Sequence, residues 1–389
     1  MCLHAPRHIR KVPHEIWLEA FLYFAPTPRQ MPPLTDVQVP AVREVVGWTS
    51  PSPHTLYYLS QVCRLFNHLA MRVARRRLVI GQPHDIQFWL EHLSHGDGDV
   101  VKHVEVHNMH AGFLQVVMRL LPNVSSMYLR HSNARITTIT PTIGIGQPGF
   151  QSLTDLTLSG LSAYATVQVL RNLSTVAGAL ERLWLVYAMR GDATPSTAGE
   201  RCTFPNLEWL IVGAPGMRFQ PQRAEDAMRD ILTVVGEMFE LPRFRRFDNL
   251  EILGYQPSFF DRFGQQLEVV TITSEDRDLD ANSHFSDHCP NLKTIMIVLI
   301  YRSRGIETLD IPHSVERLIF RVPDWLPWQA EEEGLDLLRR AFYHISRKRL
   351  SHLETIVVAG MTYWGHSSGW FCRRVKKLRN EGIEVIEIM

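Results

Sequence analysis

One short pattern recurs along most of this chain and limits what it can fold into. Apolar residues spaced as L-x-x-L-x-L, any aliphatic or aromatic residue being allowed, occur at Val101-Val104-Val106, Val124-Met127-Leu129, Leu153-Leu156-Leu158, Leu180-Leu183-Leu185, Leu207-Leu210-Val212 and Leu250-Leu253-Tyr255. They continue at Leu267-Val270-Ile272, Leu292-Ile295-Ile297, Val315-Leu318-Phe320, Leu353-Ile356-Val358 and Ile383-Ile386-Ile388. The last two positions alternate as on a strand with one face buried, and the first lies on the turn leading into it. Successive first positions are 17 to 43 residues apart, about 28 on average. Amphipathic stretches at 113–121, 167–180, 227–239 and 335–345 fill the spaces and are long enough for crossover helices. Strand, crossover and strand at such a period stack into a solenoid whose curved parallel sheet lines one side, with helices outside.

The irregular steps carry information too. The longest, from Leu207 to Leu250, and the step from Val315 to Leu353 call for an extra helix or loop, whereas the short step after Leu250 leaves almost no connection. With 389 residues, 45% of them apolar and 21% charged, the chain has ample material for a core, and bulk disorder is excluded.

Charge and cysteine content narrow the partner classes. A net charge of +1 provides no global field toward nucleic acid or an anionic membrane. Cys2, Cys63, Cys202, Cys289 and Cys372 are odd in number and scattered, neither a disulfide framework nor a paired metal site. The N-terminus lacks an apolar signal core, and the aliphatic run at 295–301 is too short to span a bilayer. A cytoplasmic or nuclear location is expected.

The first 80 residues are organised differently. Val12, Ile16, Trp17, Phe21 and Phe24 place an amphipathic helix over 12–24, with Pro13 in its first turn. Seven prolines fall in 25–54, an irregular insertion. A second helix follows, its stripe formed by Leu56, Leu59, Val62, Cys63, Phe66, Leu69, Ala70 and Val73. The division is therefore a helical domain at 1–80 and a repeat domain at 81–389.

Two runs in the first of these domains resemble an F-box: Val12-Pro13-His14-Glu15-Ile16-Trp17, and Leu59-Ser60-Gln61-Val62-Cys63-Arg64-Leu65-Phe66. The family opens with apolar-Pro-x-Glu-Ile/Leu and carries a Leu-Ser-x-Val-Cys-Arg-x-Phe core. The layout is similar to fungal F-box-like proteins with degenerate leucine-rich repeats. It departs from them in the 25–54 insertion and in the asparagine usual after the strand, where Met109, Ser132, Leu161 or Pro215 stand.

The resemblance implies a non-enzymatic substrate receptor of a cullin-RING (SCF-type) ubiquitin ligase. Val12, Pro13, Ile16, Trp17, Leu59, Val62, Cys63 and Phe66 would contact a Skp-type adaptor, and the repeats a protein target. The alternatives are that these residues only cap the array, and that the chain is a repeat scaffold with a degenerate F-box and no ligase role. On the repeats, Tyr128, Arg130, Arg182, Trp184 and Trp209 flank strand positions and are of the types enriched at interface hot spots. Side chains there can equally fill space between strands. The aromatic loop Asp324-Trp325-Leu326-Pro327-Trp328 is a second candidate for target contacts, and reads equally as an ordinary packed loop.

Other signals carry less. Gly144-Ile145-Gly146-Gln147-Pro148-Gly149 fits G-x-G-x-x-G, but a dinucleotide site needs a helix opening directly behind it, and Phe150 leads toward the Leu153 strand. His284, His288 and Cys289 lack a second ligand pair, so no metal and no cofactor are expected. Cys63 on an apolar stripe reads as a buried, inert thiol. The basic clusters Arg75-Arg76-Arg77, Arg347-Lys348-Arg349 and Arg373-Arg374 with Lys376, Lys377 and Arg379 read as solvated helix ends, import signals or acidic-partner patches.

Overall fold

The computed structural model describes residues 13, 16–17, 58–59, 61–80, 93, 97–107, 116–130, 148–189, 201–213, 222–250, 257–273, 285–299, 311–321, 338–343, 345–359 and 369–388. Twelve strands build one sheet: β1 (Arg77–Ile80), β2 (His103–His107), β3 (Ser126–Arg130), β4 (Asp155–Ser162), β5 (Arg182–Met189), β7 (Trp209–Val212), β9 (Arg246–Asn249), β10 (Val269–Thr273), β11 (Thr294–Val298), β12 (Arg317–Arg321), β13 (Thr355–Ala359) and β14 (Glu384–Ile388). Each pairs in parallel with the next in that order. β6 (Cys202–Thr203) and β8 (Phe239–Glu240) form a separate two-stranded parallel ladder. The chain is thus an α/β protein with a large parallel sheet and helices.

Register shows why the apolar spacing works. Leu78, Val104, Met127, Leu156, Leu183, Leu210, Phe247, Val270, Ile295, Leu318, Ile356 and Val385 are aligned across the sheet and all are buried. They share one hydrophobic cluster with residues of the Ala163–Ser174 and Gln222–Met238 helices and of the Gly369–Asn380 helix. Parallel strands need crossovers, and these helices bury their apolar stripes on the same face. Ser162 links the two kinds of element: its hydroxyl accepts from the Ala165 amide at 3.1 Å and caps the helix that begins where β4 stops.

Two expected repeat positions move. The match at Leu250 is displaced, because the strand there is β9 with Phe247 aligned between Leu210 and Val270. Its third position is the polar Asn249, which the apolar template passed over, and the very short step vanishes. At the other end Val385, not Ile386, aligns with Ile356. The sheet also begins with β1, inside the 1–80 stretch.

The turns before the strands are tied together. The Lys102 carbonyl accepts the amides of Ser125 and Ser126, and the same double acceptance recurs at Ser125, Thr154, Glu181, Glu208, Arg245, Glu268, Lys293 and Glu316. Asparagine, missing after the strands, stands ahead of them in Pro122-Asn123, Pro205-Asn206 and Pro290-Asn291. Each amide group donates to a carbonyl of the preceding unit: Asn123 to Asp99 at 3.0 Å, Asn206 to Gly178 at 2.7 Å and Asn291 to Gln265 at 2.8 Å. Backbone acceptors left over by the turns are thereby satisfied.

The glycine-rich motif has a packing explanation at its end. A one-turn helix, Pro148–Gln151, opens there, so a helix does follow the glycines, but it is only four residues long. A Cβ on Gly149 would lie 2.5 Å from the Leu121 carbonyl oxygen and 2.6 Å from that of Met118. The glycine lets two backbones touch. Residues 144–147 lie outside the described residues.

Candidate interaction surfaces

The N-terminal helix is built around a cap. Cys63 is extended, and its sulfur accepts from the Phe66 amide at 3.5 Å at the start of the Arg64–Ala74 helix. The expected continuous helix is therefore interrupted at Cys63, with helical residues on both sides. Cys63, Phe66, Leu69, Ala70 and Val73 form a hydrophobic cluster of their own, with Trp17, Leu59 and Leu65 packed against it. The Trp17 and Phe66 rings are 5.0 Å apart. Ile16, Tyr58, Val62 and Met71 stay outside, from 44% exposed at Val62 to 67% at Tyr58.

The expected adaptor residues consequently divide. Phe66 and Cys63 face their own cluster, Trp17 and Leu59 lie at its margin, and Pro13, Ile16 and Val62 face solvent. Val12 and the 25–54 insertion lie outside the described residues.

The second face of the sheet changes character along its length. At its first end β2 reads His-Val-Glu-Val-His, the alternation of a strand with one polar face. Glu105 accepts from Arg77 and is 2.6 Å from Nε2 of His107, whose ring meets Tyr128 edge-on. Burial pushes the Glu105 carboxyl up, but the bonds from His107 and Arg77 outweigh it and hold it below the usual range. His103 goes the other way for an imidazole: burial, then the charges of Arg77, Arg76 and Lys102, lower it to about 4. Beside them Arg182 donates to Asp155 at 3.0 Å. Burial of Asp155 raises its carboxyl despite that partner.

Further along, the face is closed. Trp184 and Trp209 are 8% and 4% exposed; back at the first end, Tyr128 is 2% exposed. The Trp184 indole donates to the Gly213 carbonyl at 2.9 Å, from a glycine held at φ +88°. The Trp209 indole donates to Asp248 at 2.8 Å. Asp248 also accepts from the Thr271 hydroxyl at 2.6 Å and from Arg246, whose guanidinium lies 3.9 Å from the Trp209 ring centre. Beyond them Met296, Val298, Ile319, Val357 and Ala359 complete an apolar cluster.

Of the expected target residues, then, Arg130 alone is exposed, Arg182 is partly buried, and the three aromatic rings fill space between strands. The Arg246–Asp248–Thr271 cluster was missed because the displaced repeat match put the strand at 253–255. The aromatic loop at 324–328 lies outside the described residues.

A shallow depression of about 630 Å³ opens where strands β10 to β13 begin, lined by Glu268, Asn291, Lys293, His313, Glu316 and His352 among others. Its side chains are mostly exposed, and Lys293 pairs with Glu268 at 3.7 Å. His288 is 2.8 Å from Asp261, while burial lifts the neighbouring Cys289 thiol to about 12, so these two stand in separate settings. His284 lies outside the described residues. Among the described residues no group of histidine, cysteine and carboxylate side chains is arranged to hold a metal ion, and no helix is long and apolar enough to cross a membrane.

No known protein family matches the chain, and no curated protein matches it in sequence.

Proposed function

We propose that this chain is a non-catalytic binding protein of the F-box and leucine-rich-repeat type, in which the N-terminal helical unit docks a Skp-type adaptor and the strand array recruits a protein target for ubiquitin transfer. The observation that carries the reading is the small separate cluster around Phe66, with apolar Ile16, Tyr58, Val62 and Met71 left on its outside, leading directly into a parallel strand array. A helical unit this small gains little stability alone, and uncovered apolar residues at one end of an array suit a partner helix.

The solenoid reading rests on the sequential strand order and on the shared turn hydrogen bonds. For the target, the polar first end of the second face is the better surface. Arg130 is exposed there, with His107 and the Asp155–Arg182 pair partly accessible. Inward-facing Cys63 and Phe66 favour a capping role for those two residues, as a scaffold without ligase activity would also have.

Co-expression with a Skp-type adaptor tests the proposal. The adaptor co-purifies with the wild-type chain, and Ile16→Asp with Val62→Asp abolishes the complex while thermal melting stays unchanged. An adaptor that fails to bind the folded wild-type chain overturns the ligase reading and leaves the scaffold.

A further inference from the structure

Two of the basic clusters noted in the sequence become one surface in the fold. The Leu338–Tyr343 segment and the Gly369–Asn380 helix both bury apolar residues in the main core, Phe342 against Phe371 with ring centres 5.8 Å apart. Arg374 fastens them: its guanidinium donates to the Phe342 carbonyl at 2.9 Å and also to that of Ile345. Arg347 draws the following turn to the helix end, its amide donating to Glu381 at 3.1 Å and its guanidinium to the Gly382 carbonyl at 3.5 Å. Arg374 and Arg347 are therefore structural.

What remains points outward. Arg339, Lys348, Arg349, Arg373, Lys376 and Lys377 are exposed. Among the described residues, Lys348, Arg349, Arg373, Lys376 and Lys377 have no ion-pair partner, and Glu381 is the one carboxylate described within 338–350 and 369–382, with exposed Glu354 and Glu384 just beyond. Arg373, Lys376 and Lys377 lie at helical spacings of three and four on one face, where like charges repel. In a chain of net charge +1 this concentration is local, with no global field to explain it.

We propose that this outer surface, at the last units of the array and remote in sequence from the N-terminal helices, binds an acidic segment of a protein partner. The cations supply charge complementarity, which raises the rate and specificity of encounter. Tyr343, 80% exposed, stands three and four residues from Arg340 and Arg339, and tyrosine with arginine is the composition of interface hot spots. Single-stranded nucleic acid is the weaker fit. It calls for successive rings to stack its bases, and Tyr343 is the single strongly exposed ring here among the described residues. The proposal does not depend on adaptor binding.

Fluorescence anisotropy of the full chain with a labelled peptide of alternating Glu and Asp is the test. Saturable binding is expected that weakens roughly tenfold between about 50 and 200 mM salt. Arg349→Glu with Lys376→Glu and Lys377→Glu should cost at least about tenfold, while Arg72→Glu with Arg119→Glu and Arg243→Glu, an equal change in net charge, should leave affinity within about twofold. Lys376→Gln with Lys377→Gln, a milder change, should weaken binding about threefold and guards against a triple variant that misfolds. Absent binding, or equal loss in both triple variants, overturns the proposal. So does tighter binding of an RNA oligonucleotide or phosphatidylserine vesicles than of the peptide at equal salt.

Discussion

Arg246 and Asp248 stand two positions apart on β9 and close on each other over the second face, Arg246 Nε donating to both carboxylate oxygens at 3.0 Å. Both are almost fully buried, 1% and 2% exposed. An ion pair removed from water repays its desolvation only when its hydrogen bonds are met, and Asp248 meets them with the Trp209 indole and the Thr271 hydroxyl. Asp248 thus links β9 by side-chain hydrogen bonds to both its neighbours, β7 and β10.

Breaking this pair on one side should be costly. Asp248→Ala strands the Arg246 charge and the two neutral donors, and a loss of about 3–5 kcal/mol is expected in urea denaturation. Arg246→Met with Asp248→Leu, which removes both charges, should recover the part of that loss due to the stranded charge, while the Trp209 and Thr271 donors stay unmet. Equal losses in the single and double variants would place the stabilisation in packing and the two neutral hydrogen bonds rather than in the charge pair.

His103 should make the fold acid-sensitive within a defined window. Its folded value of about 4 lies below the unfolded 6.5, so the unfolded chain takes up the proton first. Stability from this residue is complete above pH 6.5 and is lost as pH falls through 4, by roughly 3 kcal/mol in all. Glu105, held low in the fold, loses its contribution at more acid pH, and Asp155, held high, opposes it. Comparing wild type with His103→Gln at pH 7 and pH 5 isolates the imidazole: the variant should lose less stability across that interval.

How much of this was legible depended on the pattern each strand carries. In β2 and β3 polar residues alternate with Val104, Val106 and Met127, so the core face could be read directly. β9 escaped because Asn249 stands at an apolar position, and its buried Arg246 and Asp248 look like surface residues until the neighbouring strands are in place. β10, β11 and β13 read Val-Val-Thr-Ile-Thr, Thr-Ile-Met-Ile-Val and Thr-Ile-Val-Val-Ala, nearly continuous apolar runs. Such runs signal burial on both faces, which is why Met296 and Val357 line no open recognition surface. Trp184 and Trp209 lie on β5 and β7, and their indole partners, the Gly213 carbonyl just past β7 and Asp248 on β9, are distant in sequence and come together only in the sheet.

Gly149 should tolerate no side chain. Gly149→Ala would force a methyl group against the carbonyl oxygens of Leu121 and Met118, fixed backbone with no flexible end to yield. Overpacking of this kind costs about 1–3 kcal/mol, measurable as a lower denaturation midpoint. Gly178→Ala, whose added carbon would meet nothing within 4 Å, is the matched control and should be close to neutral.

The three asparagines ahead of the strands should act independently and additively. Each bridges one unit to the one before, and Asn123, Asn206 and Asn291 lead into β3, β7 and β11, so none shares a partner with another. Replacement by leucine removes one donor to a backbone carbonyl, worth about 1 kcal/mol, at sites open enough for water to replace part of the bond. Well-separated changes without shared partners add. The triple variant should therefore lose close to the sum of the single losses, about 2–3 kcal/mol in urea denaturation with an unchanged slope. A triple loss no larger than any single one would show that the ladder of paired turn amides holds the register without these side chains.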